Sequence, residues 1–494
     1  MREAGILLPV FSLPSSGGVG TMGKGAVRFV DFLASAGQKW WQVLPLGPTG
    51  YGNSPYQSFS AFAGNPYLID LPALAEEGWL PMEAALPAPP ENGRRVDYEG
   101  LKDRWMRPFQ AMQDAFYRNL PGDFETFCAE NAFWIEDYAL FAALKGAYPG
   151  IPWNEWPEAV RLREPHAMAW AKEDLREGVA FHKMVQYLFF HQWEKLLRYA
   201  SGRGVKLLGD LPFYVAYDSA DVWSHPGWFQ LDEALLPAAV AGVPPDPYAE
   251  NGQVWGTPLF HWARMAKDGY AFWRARLEMG ERLFHAIRVD HFRGFDSYFA
   301  VPYGDETAQR GTWKAGPGMA FFDALGETHI RRLVAEDLGI LTPSAHALLQ
   351  QTGIPGMKVL QFAFEGGRSG SPYLPHNHIP NCVVYTGTHD NDTTLGWFRA
   401  AGEAEKAFAR EYLRLHDGEW ENWSLMKTAW SSVAQLAIVP MQDVLSLGSE
   451  ARMNTPGTVG PENWSWRATW EDFSDGLADA LRHQMEVYGR TYRI

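Results

Sequence analysis

Three short apolar runs of this 494-residue sequence each end in a carboxylic acid, and these acids are Asp290, Glu336 and Asp390. In the first run Arg288 stands two residues before Asp290, so the two side chains share one face of a strand. We expect Arg288 to orient Asp290 and to lower the pKa of its carboxyl group, which would stay ionised as a nucleophile must. The alternative is a buried Arg–Asp ion pair with a structural role only.

Paired carboxylates among aromatic residues, without a recognisable set of metal ligands, indicate chemistry at a glycosidic bond. Asp290 would attack the anomeric carbon while Glu336 protonates the departing oxygen, which implies retention of configuration. Asp390 and His389 would bond the ring hydroxyls of the sugar, more strongly as the ring flattens. Glu336 then needs a pKa raised by the negative charge of its neighbours, and Asp290 needs a low one.

Runs of this kind recur along the chain, with helical patterns between most of them. They are Gly5–Val10, Trp40–Leu46, Val205–Asp210, Ala286–His291, Leu333–Glu336, Met357–Phe364, Cys382–Asp390 and Leu436–Met441. Eight such runs predict an α/β fold, a parallel (β/α)8 TIM barrel. Barrel enzymes carry their chemistry at the carboxyl ends of the strands, where the three acids and a fourth, Asp210, would meet.

The spacing of the runs is uneven, and about 160 residues separate the second from the third, far more than one helical crossover needs. We therefore predict that residues 1–494 form a single catalytic barrel with large, mainly helical insertions. The first insertion would cover about 71–178, between strands 2 and 3, and a second would cover about 213–268, after strand 3. The second carries the turn-rich loop 243–256, which is either a lid that excludes water or an ordinary flexible loop.

Composition narrows the classes of partner. With 58 acidic against 43 basic residues the formal net charge is −15, which disfavours nucleic acid and anionic membranes. Two cysteines suit a reducing compartment, and neither a signal peptide nor a long apolar span is found, so we expect a cytoplasmic protein. Aromatic residues make up 14% of the chain, and their rings would either stack on sugars or fill a large core.

Two further patterns suggest a cofactor or a metal but lack the partners that these need. The GxGxxG at Gly18–Gly23 precedes a helical pattern, yet the chain from Phe32 to Ile69 contains no acid to bind a ribose. His376 and His378 have no third ligand at a recognisable spacing. We therefore expect a tight glycine loop, no organic cofactor and no metal.

Longer motifs add a resemblance that covers essentially the whole chain. Beside the acids and their neighbours, they are Tyr51–Tyr56, Gly64–Tyr67, Gly209–Pro212, Asn251–Gly256 and Arg452–Gly457. With these motifs the sequence resembles the α-amylase superfamily and, more closely, the 4-α-glucanotransferase family, whose members are also called amylomaltases or disproportionating enzymes.

The resemblance implies transfer of an α-1,4-glucan segment from a donor glucan or malto-oligosaccharide to the 4-hydroxyl of glucose or of a glucan acceptor. It assigns the nucleophile to Asp290, the acid/base to Glu336 and the stabiliser of the transition state to Asp390. The implied substrate-binding residues are Tyr56, Asp210, Gln253, Trp255, Arg288, His291, His389 and Asn454. A retaining α-glucan hydrolase and a glucan-binding protein without activity remain as alternatives.

Overall fold

The structure, a computed structural model, describes residues 2–85, 93–245, 250–339, 341–367, 369–416 and 418–491. Its strands are β1 (Glu3–Leu7), β2 (Trp40–Gln42), β3 (Lys206–Leu211), β4 (Ala239–Val243), β5 (Gln253–Pro258), β6 (Ala286–Val289), β7 (Ser297–Pro302), β8 (Thr312–Ala315), β9 (Leu333–Ala335), β10 (Gly356–Val359), β11 (Cys382–Tyr385) and β12 (Leu436–Pro440). Eight of them close into a parallel barrel in the order β1-β12-β11-β10-β9-β6-β3-β2. The predicted TIM barrel is confirmed.

The helices of the first half of the chain are α1 (Lys24–Ser35), α2 (Leu71–Glu76), α3 (Met82–Ala85), α4 (Tyr98–Arg118), α5 (Phe124–Glu130), α6 (Ala132–Ala147), α7 (Glu158–Arg161), α8 (Pro165–Asp174) and α9 (Arg176–Gly202). Those of the second half are α10 (Ala220–Ser224), α11 (Trp262–Met265), α12 (Ala271–Leu283), α13 (Met319–Leu325), α14 (Glu327–Ile330), α15 (Pro343–Thr352), α16 (Thr394–Ala400), α17 (Glu403–Leu413), α18 (Glu421–Ser431), α19 (Met441–Val444) and α20 (Asp475–Val487). Short 3-10 turns connect many of these elements.

Each of the eight predicted runs overlaps one strand of the barrel, and every strand except β3, which ends at Leu211, ends earlier than its run. β6 ends at Val289, β10 at Val359 and β11 at Tyr385. The residues that follow lie outside the sheet, and those after β6 and β11 include Asp290 and Asp390. The carboxyl ends of the strands therefore continue directly into the residues that were expected to do chemistry.

The barrel interior is packed with side chains, as a small closed barrel requires. Its cluster comprises Leu7, Leu208, Val334, Met357, Val359, Val383, Tyr385, Leu436 and Ile438. The buried Tyr385 hydroxyl donates to Oε1 of Gln42 at 2.9 Å, which satisfies two polar groups inside this apolar layer. The packed interior therefore closes the barrel below the carboxyl ends of the strands.

The connection between β2 and β3 carries the helices α2 to α9. The longest is α9, where the sequence predicts a helix over Val179–Tyr199, and it packs against α4 and α6. Of the predicted insertion over 71–178, residues 86–92 lie outside the described residues. The limits of both insertions stay predictions.

A four-stranded antiparallel sheet, in the order β5-β4-β7-β8, stands beside the barrel. Its strands β4 and β5 come from the predicted 213–268 insertion, whereas β7 and β8 follow β6. None of these four strands was predicted from the sequence. Of the loop 243–256, residues 246–249 lie outside the described part of the chain, and the lid role stays a prediction.

Many of the aromatic residues fill the core, as the second interpretation of the composition held. Seven tryptophans are less than 2% exposed, namely Trp41, Trp105, Trp153, Trp193, Trp223, Trp273 and Trp430. The glycine motif forms a tight loop before α1, because a Cβ on Gly20 would lie 2.0 Å from the Val10 carbonyl oxygen. No helix in the described ranges is long and apolar enough to cross a membrane.

Candidate active site

Arg288 lies at the centre of the site, where β3 and β6 run side by side and the register pairs Asp210 with Arg288. Its guanidinium donates to both carboxylate oxygens of Asp210 at 2.7 Å and to Oδ1 of Asp290 at 3.0 Å. The side chains of Asp210 and Arg288 are 0% and 4% exposed, whereas that of Asp290 is 28% exposed. Arg288 therefore forms a buried ion pair with Asp210 and also orients the accessible Asp290.

A turn after β6 places Glu336 beside Asp290. His291 has a φ of 47°, a left-handed conformation that costs a non-glycine residue on the order of 1–3 kcal/mol. In this conformation its N–H donates to Oε2 of Glu336 at 2.6 Å, and the N–H of Leu338 donates to Oε1 at 3.2 Å. The Glu336 N–H in turn donates to the Val289 carbonyl at 3.0 Å. The ends of β6 and β9 thus hold the two carboxyl groups next to each other.

Asp390 follows β11 and is held from the segment after β12. Nδ2 of Asn454 donates to its Oδ1 at 2.6 Å, and the Arg452 guanidinium donates to its carbonyl at 2.7 Å. Its Oδ2 lies 3.4 Å from Nε2 of His389, and its side chain is 44% exposed. Asp390 is therefore fixed at one oxygen and at its backbone while it remains open to a ligand.

Tyr56 joins the Arg288 side of the site to the Asp390 side. Its hydroxyl donates to Oδ2 of Asp210 at 2.7 Å and lies 3.0 Å from Nε2 of His389. The rings of Tyr56 and His389 stack at a centroid distance of 5.3 Å. One face of Tyr56 thus packs on protein, and its predicted stacking on a sugar stays a prediction.

Strand β5 contributes the opposite wall. The ring of Trp255 meets His291 edge to face at 5.0 Å, and its indole N–H donates to Oε1 of Gln253 at 3.1 Å. Nε2 of His291 is buried without a hydrogen-bond partner among the described residues. A buried ring nitrogen of this kind suits a ligand hydroxyl, because an unpaired polar group is costly. All eleven predicted site residues therefore belong to one continuous set of contacts.

The pKa of one of the two central carboxyl groups, Asp290, differs from the expectation, whereas that of Glu336 agrees with it. Burial raises the pKa of Glu336, the direction expected, although the expected cause was the charge of its neighbours. The expectation of a low pKa at Asp290 is wrong. Burial raises the pKa of Asp290 to about 8, and although Arg288 lowers it, Glu336, Asp210 and Asp390 raise it further. The effect of burial on this pKa exceeds the opposing effect of Arg288.

His389 is buried and His291 is partly buried, and burial lowers the pKa of both rings. The pKa of His291 falls to about 4, and that of His389 is lowered although Asp390 opposes the change. Neutral imidazoles can offer one donor and one acceptor each to a sugar.

Two residues of the site have no role in the sequence analysis. Arg452 was noted only as part of a motif, and its Nε also donates to the Asn454 carbonyl at 2.8 Å. Trp464 packs against both Tyr56 and His389 at 5.8 Å, with a φ of 59° that is unusual for a bulky residue. The aromatic-rich segment around Trp464 was the only signal that could have indicated it.

Both histidines of the pair outside the site make hydrogen bonds to neighbouring protein groups. His376 contacts the Tyr412 hydroxyl and the Ser369 carbonyl, each at 2.9 Å, and His378 contacts the Tyr373 carbonyl at 2.9 Å. Among the described residues no cluster of three or more His, Cys, Asp or Glu side chains is arranged to bind a metal ion.

Comparison with known proteins agrees with the resemblance of the motifs. The family profile described as 4-alpha-glucanotransferase matches residues 8–472. A 4-alpha-glucanotransferase of Thermus thermophilus is 50% identical over 504 residues, which cover 99% of both chains. That of Synechocystis sp. is 46% identical over 497 residues, covering 99% of this chain and 98% of the relative.

Among solved structures, the amylomaltase from Streptococcus agalactiae in complex with acarbose is 36% identical, with a TM-score of 0.97 and full coverage of both chains. The amylomaltase from Corynebacterium glutamicum, 20% identical with a TM-score of 0.77, covers 100% of this chain and 75% of its own, and it shares the fold. The chain therefore belongs to the 4-α-glucanotransferase family.

Proposed function

We propose that this protein is a retaining 4-α-glucanotransferase that moves α-1,4-glucan segments from a donor to the 4-hydroxyl of glucose or of a glucan acceptor. The observation that carries the proposal is the meeting of Asp290, Glu336 and Asp390 around Arg288, His291 and His389 at one end of the barrel. The names of the relatives, and the acarbose bound to one of them, support the same activity and α-glucans as substrates.

In the first step a carboxylate oxygen of Asp290 attacks the anomeric carbon of the donor. Arg288 holds Oδ1, and no described residue hydrogen-bonds Oδ2, so Oδ2 is the attacking atom. As the C1–O bond breaks, Glu336 gives its proton to the departing glucan oxygen. The products of this step are a glycosyl ester on Asp290 and a shortened glucan with a free 4-hydroxyl.

In the second step the 4-hydroxyl of an acceptor attacks C1 of the glycosyl ester. Glu336, now ionised, takes the hydroxyl proton, and the ester bond to Asp290 breaks. Asp390 is the carboxylate that bonds the sugar hydroxyls during both steps. The reaction balances with these three carboxyl groups and the two glucans, without an added cofactor.

The proton on Glu336 belongs on the oxygen with the weaker backbone bond. Oε2 accepts the short bond of 2.6 Å from the His291 N–H, whereas Oε1 accepts a bond of 3.2 Å from Leu338. A protonated oxygen is the poorer acceptor, so Oε1 carries the transferable proton. The two backbone bonds therefore distinguish the oxygens of Glu336, and we infer that Oε1 gives the proton to the departing group.

A cytoplasmic location is part of the same proposal. Both cysteines, Cys128 and Cys382, are free in the structure, and free thiols suit a reducing compartment.

Incubation with maltotriose and sizing of the products tests the function. A transferase converts maltotriose into glucose and longer malto-oligosaccharides with little net gain of reducing ends. Products that are only shorter than maltotriose would indicate the retaining hydrolase. An unchanged substrate that nevertheless binds would indicate a glucan-binding protein without activity.

The Asp290→Asn variant tests the covalent step, because the amide keeps the shape of the side chain but is a poor nucleophile. We expect turnover to fall by at least about 10⁴-fold, comparable with the loss of other nucleophiles, while maltotriose still binds. A 5-fluoroglucosyl fluoride should label the parent enzyme on the peptide that contains Asp290 and leave the variant unlabelled. A label on another residue would contradict the assignment.

A further inference from the structure

Asp443 is a buried acid outside the site, in the helix α19 that follows β12. Its side chain is 1% exposed. Oδ2 accepts the hydroxyl of Thr386 at 2.6 Å and that of Thr394 at 2.7 Å, and Oδ1 accepts the Thr394 N–H at 2.7 Å. A carboxylate held by several donors in this way is strongly oriented, because each hydrogen bond to a charged acceptor is strong.

The two threonines stand at the two ends of one loop. Thr386 directly follows β11, and Thr394 is the first residue of α16. Both are fully buried. The loop between them, residues 386–394, carries His389 and Asp390. Asp443 therefore links the two ends of the loop that carries His389 and Asp390.

The segment that contains Asp443 reaches the same loop again near the site. The Ser449 hydroxyl donates to Oδ2 of Asp392 at 2.7 Å. Arg452 donates to the Asp390 carbonyl and Asn454 to its carboxylate, at 2.7 and 2.6 Å. Residues 441–454 thus hold the loop at its base, at its side and at Asp390 itself.

We propose that Asp443 is a positioning residue of the transfer reaction, which aligns Asp390 and His389 through Thr386 and Thr394. The proposal rests on the role of Asp390 given under Proposed function. Asp443 contacts no substrate; its carboxylate sets where the loop leaves the barrel. Small displacements of a group that acts on the transition state cost rate because orientation is lost.

The Asp443→Asn variant is the direct test. Its amide cannot accept all three bonds, since its nitrogen would face a hydroxyl or the Thr394 N–H. At a temperature where circular dichroism shows the variant folded, we expect kcat for maltotriose to fall by at least ~10-fold and KM to change by less than about 3-fold. A folded variant with the kcat of the parent would overturn the proposal.

Asp70 provides a matched control for a merely structural acid. It too is buried, it accepts the Thr21 hydroxyl at 2.6 Å and the Ala73 N–H at 2.8 Å, and it lies at the start of α2. We expect Asp70→Asn to lower the melting temperature while kcat is retained. An equal loss of kcat in both variants would show that the effect at Asp443 is not specific.

Thr386 keeps the test decisive if Asp443→Asn fails to fold. Thr386→Ser retains the hydroxyl, whereas Thr386→Val removes it at nearly the same volume. We expect the Ser variant to keep most of kcat and the Val variant to lose it; equal values would overturn the proposal. Asp390→Asn separates the two proposals, because retained turnover there contradicts the role of Asp390 itself.

Discussion

Arg288 is shared between two acids of the site. Two of its hydrogen bonds go to the buried Asp210 and one goes to Asp290. Burial then raises the pKa of Asp290 and of Glu336. Because neighbouring carboxyl groups titrate as a unit, the proton that Glu336 needs is retained by the pair near neutral pH. The ionised state of Asp290 and the protonated state of Glu336 are therefore coupled, because the two groups share one proton.

The Glu336→Gln variant tests this coupling at the residue scale. With maltotriose we expect a loss of at least ~10²-fold, as for other general acids. With α-glucosyl fluoride, whose leaving group needs no proton, we expect the variant to retain most of the rate of the first step. Removal of the charge of Glu336 also removes one cause that raises the pKa of Asp290. Asp290 then stays ionised at lower pH, and the acid limb of kcat/KM moves to lower pH.

The measurement is a pair of pH profiles of kcat/KM with the fluoride donor, for the parent and for Glu336→Gln. An acid limb that stays in place or moves to higher pH would contradict the coupling of Asp290 and Glu336.

At the scale of the elements, β3 packs closely on the chain that follows α12 at Gly209, the residue before Asp210. A Cβ on Gly209 would lie 2.1 Å from a ring carbon of Phe284. That ring is 7% exposed and packs edge to face on Trp193 at 5.7 Å, so it has little room to move. Gly209 therefore sets the depth at which Asp210 lies.

We expect Gly209→Ala to lower the free energy of unfolding by about 1–3 kcal/mol through overpacking. It should also lower kcat, because the next residue, Asp210, holds Arg288. Gly146→Ala is the control: Gly146 lies exposed in α6 with nothing within 4 Å of its added Cβ, and Ala favours a helix. Urea unfolding measures the free energy of unfolding of both variants, and maltotriose kinetics measure their kcat. If Gly209→Ala changes neither quantity, the Phe284 ring moves aside to make room for the added Cβ.

At the scale of the whole molecule, buried charges join the long connections to the barrel behind the site. Oδ2 of Asp221 accepts the Ala61 N–H at 2.8 Å, on the connection that carries Tyr56. Arg276 of α12 donates to the carbonyls of Pro212 and Phe213, directly after β3. The positive charge of Arg276 partly offsets the burial of Asp221. The connections after β2 and β3 are thereby held against α10 and α12.

Asp221 makes a pH-dependent contribution to stability. Burial raises its pKa to about 6 in the folded protein, above the ordinary value of 3.8. The folded state therefore binds this proton more tightly than the unfolded chain. The contribution of Asp221 favours folding below about pH 4, falls as pH rises to about 6, and is constant above that, with a total of about 3 kcal/mol.

The Asp221→Asn variant removes this dependence and can still accept the Ala61 N–H. We expect the free energy of unfolding of the variant, relative to the parent, to rise by up to about 3 kcal/mol between pH 4 and pH 7. The attraction between ionised Asp221 and Arg276 is already contained in the pKa of about 6, so its loss is part of this change with pH. Urea unfolding at several pH values measures the slope, and a flat difference would contradict the raised pKa.

The sequence by itself determined the barrel and the acids of the site. Strand-length apolar runs are local patterns, and a parallel barrel brings the ends of its strands to one face whatever the connections contain. Asp290, Glu336 and Asp390 could therefore be predicted as neighbours although many residues separate them along the chain.

Only the tertiary structure decided the raised pKa of Asp290, the contacts of Asp443 and Trp464, and the antiparallel sheet of β4, β5, β7 and β8. Burial and hydrogen bonds between distant segments have no signature in local periodicity. Asp443 meets Thr386 across 57 positions of sequence. The pKa of Asp290 depends on its burial and on the charges of Arg288 and of the neighbouring acids, which come together only in the folded barrel.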